Sequence, residues 1–307
     1  MKPILMYETV HGSRAYNLER PDSDTDYKGI IVGPTHWYHG YRGGPEQIEK
    51  SADHVHYEIR KFFRLMASSN PTVIEMPWTE PEDHRTVTVQ GERLLQTRQS
   101  FLTKRTRWTF AGYALSQLKR IKTHRRWLLS PPKREPMRGA FGLPEHTVIP
   151  RDQLGAAEAL MEQGRIEEAE LTPNFLEILD RERRYRQARK EWQQYHAWLK
   201  GRNPARAELE AKFGYDTKHA MHLVRLQRMA VEILTQERVI VRRPDRDDLL
   251  AIRDGAWSYD ELIEQCQRLE EKIDKAAELS KLPEEPDDDA LDELCTSIVE
   301  AVLDAQP

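Results

Sequence analysis

Two aspartates separated by a single residue, Asp24 and Asp26, precede a run of apolar residues near the start of the chain. In an extended strand alternate side chains lie on the same face, so this spacing predicts that both carboxylates point the same way, with Cα atoms about 7 Å apart. Carboxylate oxygens are hard ligands that suit Mg²⁺ or Mn²⁺. Two such ions about 4 Å apart can activate an attacking hydroxyl group and stabilise a leaving pyrophosphate. The pair is therefore a candidate catalytic metal site.

A glycine-serine turn is predicted upstream of these aspartates, at Gly12 and Ser13, directly after the apolar segment 4–7. A residue without a side chain lets backbone N–H groups come close to a phosphate, so Gly12, Ser13 and the adjacent Arg14 are candidates for binding a nucleotide. A more ordinary interpretation of the aspartates is a turn and strand cap, because Asp, Ser and Pro are common turn residues. The turn in front of them favours the catalytic interpretation.

A third acid is expected on a neighbouring strand, as is usual in two-metal sites. Residues 53–59 alternate as in a strand, and Glu58 at the end of this strand is the predicted third ligand. Asp53, on the opposite face, is the alternative. The non-catalytic interpretation of Glu58 is an ion pair with a neighbouring base. His54 and His56 of the same strand could also bind metal, although exposed strand histidines are more often passive.

Three polar residues of the segment 212–226 are spaced to share one face of a helix. Lys218, His222 and Arg225 fall at positions i, i+4 and i+7, so this face presents three groups that can be cationic. Such a face can bind a triphosphate, with Lys218 and Arg225 as charges and His222 as a hydrogen-bond donor. A solvated helix surface is the alternative.

The net charge of −4 conceals a strong segregation of charge along the chain. Thirteen basic residues and one acid, Glu135, lie between positions 93 and 138, whereas acids dominate 284–293. A localised basic field suits phosphates, so the tract 93–138 is a candidate surface for RNA. The thirteen are Arg93, Arg98, Lys104, Arg105, Arg107, Lys119, Arg120, Lys122, Arg125, Arg126, Lys133, Arg134 and Arg138.

The composition is typical of a globular chain, with 38% hydrophobic residues in a length of 307. No apolar run approaches the roughly 20 residues that cross a bilayer, and nothing resembles a signal peptide, so a cytoplasmic protein without membrane contact is expected. Cys266 and Cys295 are far apart in sequence and indicate neither a disulfide framework nor a zinc ribbon.

The order of the predicted elements favours an α+β fold, in which a mixed sheet with helices forms a palm and a mainly helical half follows. Helices are predicted over 108–126, 205–234, 259–279 and 292–303. The expected division is a palm at 1–130, a proline-rich linker or lid at 131–150, a helical domain closing on the nucleotide at 151–282 and an acidic tail at 283–307.

The segments GSRAY at 12–16 and SDTDYKGIIV at 23–32 resemble the G-S…D-x-D motif of the polymerase-β nucleotidyltransferase superfamily. The resemblance is closest to its predicted RNA-repair branch, the RlaP/YcgL-like proteins. Later segments resemble the same branch in the same order, so the resemblance covers about residues 1–260; they are 56–78, 110–121 and 212–226. One departure is Asn17, which stands in the connector where a glycine is expected.

The resemblance implies a polymerase-β-like palm in which Asp24, Asp26 and Glu58 hold two Mg²⁺ or Mn²⁺ ions. The substrate would be an NTP, the acceptor a hydroxyl group of an RNA or tRNA-like end, and the by-product pyrophosphate. The chain has no GxxxxGK[ST] motif, which disfavours a P-loop mechanism. Protein AMPylation, nucleotidylation of a small molecule and a non-catalytic nucleic-acid-binding relative are the alternatives. The base, the acceptor and the oligomeric state stay open at this point.

Overall fold

The structure of the protein, a computed structural model, describes residues 2–147, 149, 155, 159 and 173–305. Its centre is a five-stranded sheet in the order β3-β4-β2-β1-β5. Strands β2 and β4 are parallel, and the other neighbours are antiparallel. The strands are β1 (Ile4–His11), β2 (Asp26–Val32), β3 (Gln47–Ser51), β4 (His54–Glu58) and β5 (His84–Val87).

Helices follow the strands and make up most of the second half of the chain, so the α+β prediction is confirmed. Short 3₁₀ helices lie at Met76–Trp78, Pro81–Asp83, Arg98–Phe101 and Arg138–Phe141. The α-helices are α1 (Gly12–Ala15), α2 (His36–His39), α3 (Ile59–Ala67), α4 (Val89–Thr97), α5 (Thr106–Leu129), α6 (Pro173–Lys200), α7 (Pro204–Phe213), α8 (Thr217–Gln236), α9 (Arg246–Arg253), α10 (Tyr259–Leu279) and α11 (Asp288–Asp304). None of these helices, in the part of the chain that the structure describes, is long and apolar enough to cross a lipid bilayer.

The chain forms two compact units whose limits differ from the predicted domains. The first unit joins Met1–Ile121 to Tyr215–Pro307, and the second is Lys122–Gly214. Helices α8 to α11 therefore belong to the same unit as the sheet rather than to a separate domain. The predicted boundary at residues 150–151 lies outside the described residues.

The core of the first unit explains why its two sequence segments stay together. Tyr7 and Ile30 from the sheet, Phe62 from α3 and Met229 from α8 are fully buried in one apolar cluster. Full burial of a large apolar side chain contributes about 1.5–3 kcal/mol. The spacing of such residues in α3 and α8 gives each helix one apolar stripe that faces the sheet.

The predicted acidic tail also belongs to this core. Leu291, Cys295, Ile298 and Val302 of α11 recur at helical spacing and are buried, and the helix lies against α3 and α4. Only the polar face of α11 is acidic. Helix α11, within the predicted tail 283–307, is therefore part of the folded unit.

The second unit, in the part that the structure describes, is held by ion pairs and aromatic contacts. Arg138 pairs with the buried carboxylate of Glu182 on α6, and Arg202 pairs with buried Glu210 on α7. The predicted linker therefore contains a residue that is fixed to a helix.

The register of the sheet separates its polar side chains onto two faces. Asp26 pairs with His11, whereas Gly29 pairs with Glu8 on one side and His56 on the other. Side chains alternate along a strand, so Asp26 lies on one face with the core and Gly29 on the opposite face. These two faces hold two different clusters of polar groups.

Candidate active site

A cavity of about 180 Å³ opens in the first unit between the start of β2 and helix α8. Its walls combine polar and apolar groups, whereas the neighbouring core is apolar. The polar lining groups include His11, Tyr16, Asp26, Lys28, Glu75, His222 and Arg225.

Asp26 lies directly against Gly12. The Cβ atom that any other residue would place at position 12 would lie 1.9 Å from Oδ2 of Asp26. Gly12 also has a φ angle of +68°, in the left-handed region that favours glycine. The sequence predicted this glycine as a close approach to phosphate, and the structure shows a close approach to the carboxylate of Asp26.

Asp24 and Asp53 surround Asp26 with negative charge. Burial is the largest cause that raises the pKa of Asp26, and the carboxylates of Asp53 and Asp24 raise it further, while Lys28 and Lys218 act in the opposite direction. Asp53 is placed there by the sheet, because its carbonyl oxygen accepts a hydrogen bond of 2.7 Å from the N–H of Tyr27. Asp24 and Asp53 thus lie within electrostatic range of Asp26, at the starts of two parallel strands.

Asp24 lies in the loop before β2 and not in the strand that its spacing predicted. The strand begins at Asp26, and Asp24 is exposed. The loop is fixed at the preceding residue, because Arg14 donates a hydrogen bond of 2.8 Å to the carbonyl oxygen of Ser23. Arg14 therefore positions the loop that contains Asp24.

The structure does not bring Glu58 to the two aspartates. Glu58 ends β4, five residues after Asp53, which corresponds to about 16 Å along a strand. Its buried carboxylate accepts hydrogen bonds from the Tyr38 hydroxyl at 3.1 Å and from the backbone N–H of Arg60 at 3.2 Å. The same carboxylate pairs with the Arg60 guanidinium. Glu58 caps helix α3, and Asp53 is the acid that the sheet brings to Asp26.

Arg225 does not face outward. It is buried, donates a hydrogen bond of 2.7 Å to Glu75, and lies with its guanidinium carbon 3.7 Å from the centre of the Tyr16 ring. Tyr16 donates a second hydrogen bond of 2.5 Å to Glu75. At the wall of the cavity the charge of Arg225 is paired with a buried carboxylate, and its phosphate contact stays a prediction.

This pairing governs the protonation of the buried groups. Burial alone would raise the pKa of Glu75, but the charge of Arg225 and hydrogen bonds from His11 and Tyr16 hold it well below its usual range. Burial, aided by the charge of Lys28, lowers the pKa of His11 to about 4. At neutral pH the cavity floor therefore contains an ionised Glu75 and a neutral His11.

Of the other two residues on the predicted face, His222 lines the cavity and Lys218 lies near enough to influence Asp26. Nδ1 of His222 lies 3.4 Å from a guanidinium nitrogen of Arg225. Lys218 is exposed one turn earlier, and its charge lowers the pKa of Asp26. Helix α8 begins after Asp216, whose side chain accepts a hydrogen bond from the N–H of His219 and so caps the helix.

Two polar residues of the cavity, Lys28 and Glu75, were missed by the sequence analysis. Burial lowers the pKa of Lys28 to about 8 despite the opposing charges of Glu75 and Asp26. Its spacing of two residues from Asp26 could have placed it on the same face of the strand. For Glu75 the available signal was a single acid in the otherwise uncharged stretch 71–78.

Asn17 and Ser13 shape the connector between the glycine turn and Asp24. Asn17 has a φ angle of +61°, which explains why glycine is expected there and why asparagine, which tolerates this region, can replace it. The carbonyl oxygen of Ser13 accepts a hydrogen bond of 2.8 Å from the N–H of Leu18.

The mixed sheet with carboxylates at the starts of two parallel strands is consistent with a polymerase-β-like α+β protein. Residues 3–129 match the model of the RlaP family, described as the RNA repair pathway DNA polymerase beta family. Over these residues, which make up less than half of the chain, the sequence is similar to that family, and the similarity suggests a polymerase-β-like nucleotidyltransferase. The match ends at the last residue of α5, before the helix that contains Lys218. No curated protein and no solved structure matches the chain at a significant level.

Proposed function

We propose that the protein transfers a nucleotide from an NTP to a hydroxyl group of RNA, with release of pyrophosphate. One observation supports this function most strongly. Asp26 occupies the space left by Gly12 and lies within the electrostatic influence of Asp24 and Asp53. Such a concentration of carboxylates beside an open cavity is costly unless a cation neutralises it.

Asp24, Asp26 and Asp53 form an oxygen-only donor set, which suits Mg²⁺ or Mn²⁺. Burial is the main cause of the raised pKa of Asp26, and a divalent cation would remove the further contribution that the charges of Asp53 and Asp24 make. When bound, the ions would lower the pKa of the acceptor hydroxyl group and neutralise charge on the phosphates. Asp53 takes the place that the sequence analysis gave to Glu58.

Three cation-capable groups line or approach the same cavity and could bind the triphosphate: Lys28, Lys218 and His222. Charge-assisted hydrogen bonds to phosphate are about twice as strong as neutral ones. Arg225 contributes indirectly, since its pairing with Glu75 places it beneath His222. The triphosphate would then lie between helix α8 and the carboxylates.

An RNA acceptor is favoured by the basic tract, although part of the tract is neutralised within the fold. Lys104 pairs with Glu284, Arg105 with Glu285 and Arg107 with Asp274. Lys119 and Arg120 of α5 are exposed. Later in the tract, Arg126 pairs with Glu191 and Arg138 with Glu182, so the proposed RNA contacts are at the exposed residues of α5. The description of the matching family as the RNA repair pathway DNA polymerase beta family supports the same acceptor.

Incubation of the chain with each labelled NTP, Mg²⁺ or Mn²⁺ and either RNA or cell protein tests this function. We expect label on RNA, together with pyrophosphate, and no label when Asp26→Asn replaces the wild type. Label on a polypeptide would favour AMPylation. If no NTP labels any acceptor under either metal, the proposed transfer is wrong.

A further inference from the structure

On the face of the sheet opposite the carboxylate cavity, three side chains with metal-ligating atoms converge. Nε2 of His54 and Nε2 of His56 lie 2.7 and 2.6 Å from Oε2 of Glu8. The two nitrogens are 3.0 Å apart. All three residues are partly or fully shielded from solvent.

Gly29 makes this convergence possible. Glu8 is in β1 and the histidines are in β4, so strand β2 lies between them, and Gly29 is the residue of β2 that pairs with both Glu8 and His56. A Cβ atom at position 29 would lie 2.8 Å from Cδ2 of His56. The missing side chain leaves a gap in which groups from non-adjacent strands meet.

We infer that Glu8, His54 and His56 bind a divalent transition metal, for which Zn²⁺ is the best-fitting ion. Two imidazole nitrogens and one carboxylate oxygen form a ligand set that Zn²⁺ uses with a fourth, open position. Tetrahedral ligands at Zn²⁺ distances of about 2.0–2.1 Å are about 3.3 Å from each other. The three atoms need to move apart by less than about 1 Å to reach that geometry.

Hydrogen bonding within this cluster crowds its two nitrogen atoms around one carboxylate oxygen. Each Nε2 atom has one position for a proton, and it cannot direct that proton at both Glu8 and the other imidazole. If both histidines donate to Glu8, their two N–H groups share one oxygen atom and their nitrogens lie only 3.0 Å apart. If one histidine donates to the other, an unprotonated nitrogen faces a carboxylate oxygen at less than 3 Å. A central cation satisfies all three atoms at once, since each offers it a lone pair.

The imidazole ligands separate this site chemically from the carboxylate cavity. Imidazole suits Zn²⁺ and similar ions, whereas Mg²⁺ prefers oxygen. A cation here would fasten β4 to β1 across β2. Because His54 directly follows Asp53, it would also fix the acid that we propose as a catalytic ligand, a consequence that rests on the proposed function.

Titration of the tag-free, EDTA-dialysed chain with Co²⁺ and then Zn²⁺ tests the inference. We expect one equivalent of Co²⁺ to give the visible absorption of a four-coordinate site, and Zn²⁺ to displace it and to raise the melting temperature. Loss of even an outer-shell partner costs about 10- to 100-fold in metal affinity, so His54→Ala or Glu8→Gln should weaken binding by more than that.

Two controls keep the outcome unambiguous. His39→Ala removes an exposed histidine of α2 and should leave binding unchanged. Asp26→Asn should also retain the Co²⁺ absorption, so the metal site and the proposed transferase activity can fail independently. Absence of Co²⁺ absorption in the wild type would overturn the inference, even if a ligand variant does not fold. Equal Zn²⁺ affinity in the wild type and in folded His54→Ala would overturn it as well.

Discussion

The carboxylate of Asp26 fills the space next to Gly12 in which a side chain at position 12 would lie. A Cβ atom at that position would be 1.9 Å from a carboxylate oxygen of Asp26. The glycine is therefore required by the position of the acid. This relationship links the turn after β1 to the start of β2, the two segments that the sequence pattern had connected only by their order.

We expect Gly12→Ala to reduce nucleotidyl transfer by about 100-fold, since a displacement of about 1 Å in a reacting group can cost that much. The positive φ angle of Gly12 adds a loss of stability of about 1 kcal/mol or more. Pyrophosphate release and thermal melting measure the two effects. Gly112→Ala in α5, where an added Cβ meets nothing within 4 Å, is the matched control and should leave both unchanged or raise stability.

A second prediction concerns the pair formed by Arg225 and Glu75. Arg225→Met should lower the free energy of unfolding by about 3–5 kcal/mol, because Glu75 is left as an uncompensated buried charge. The double variant Arg225→Met with Glu75→Leu should recover much of that loss. Denaturant unfolding of the single and double variants checks this coupling. Additive losses would mean that the two side chains act independently.

The depressed pKa of Glu75 predicts the direction of a pH dependence. An unfolded glutamate binds a proton at about pH 4.3, whereas folded Glu75 resists protonation. Below that pH the unfolded state binds more protons, so the stabilisation present at neutral pH is lost as the pH falls from about 4.3 towards the folded pKa. In Glu75→Gln this component of the acid destabilisation should be absent. Identical pH profiles of unfolding free energy would contradict the assignment.

Lys119 and Arg120 on α5 allow a test of whether RNA is the acceptor. If Lys119 and Arg120 contact RNA phosphates, their joint replacement by alanine should reduce the slope of log affinity against log salt by about 1.4, at about 0.7 per contact with a single strand. NTP affinity should stay unchanged. Lys272→Ala on α10, also exposed, is the control. An unchanged slope would remove α5 from the proposed RNA surface.

The acidic residues that pair with the basic tract allow a test of whether these ion pairs compete with RNA for the same basic side chains. Glu284 and Glu285 neutralise Lys104 and Arg105 in the fold, so replacing both acids with glutamine should raise RNA affinity. Deletion of 284–307 is not suitable, because α11 supplies buried core residues and its loss would unfold the unit. Unchanged RNA affinity in the double glutamine variant would show that the two ion pairs do not compete with RNA.

Local sequence patterns predicted a helix well where a capping residue and an apolar stripe indicate the same helix. The predicted helix 259–279 coincides with α10, whose start is fixed by hydrogen bonds between Ser258 and Glu261. The predicted stretch 205–234 instead forms two helices, because Gly214 adopts a φ angle of +78° and ends the first. The division into units was not predictable from composition, since it depends on which apolar stripes share a core.

The candidate site was also predicted only in part, because some of its residues are brought together by tertiary structure. The spacing of Gly12, Asp24 and Asp26 in the chain is local and was sufficient to identify them. The choice between Asp53 and Glu58 depends on the register of β2 against β4, which pairs Tyr27 with His54 and is set by tertiary structure. The burial of Arg225 likewise depends on Glu75, a residue 150 positions away.

Pyrophosphate release by Asp53→Asn and by Glu58→Gln, each compared with the wild type in saturating NTP, Mg²⁺ and RNA, tests the account most directly. Loss of a metal ligand removes several kcal/mol of transition-state stabilisation. The rate of pyrophosphate release by Asp53→Asn should therefore fall by more than about 100-fold, while the melting temperature of this variant stays near that of the wild type. Glu58→Gln, which alters the cap of α3, should melt earlier but keep most of its activity at temperatures where it is folded. Full activity in Asp53→Asn, with loss of activity in folded Glu58→Gln, would contradict the account.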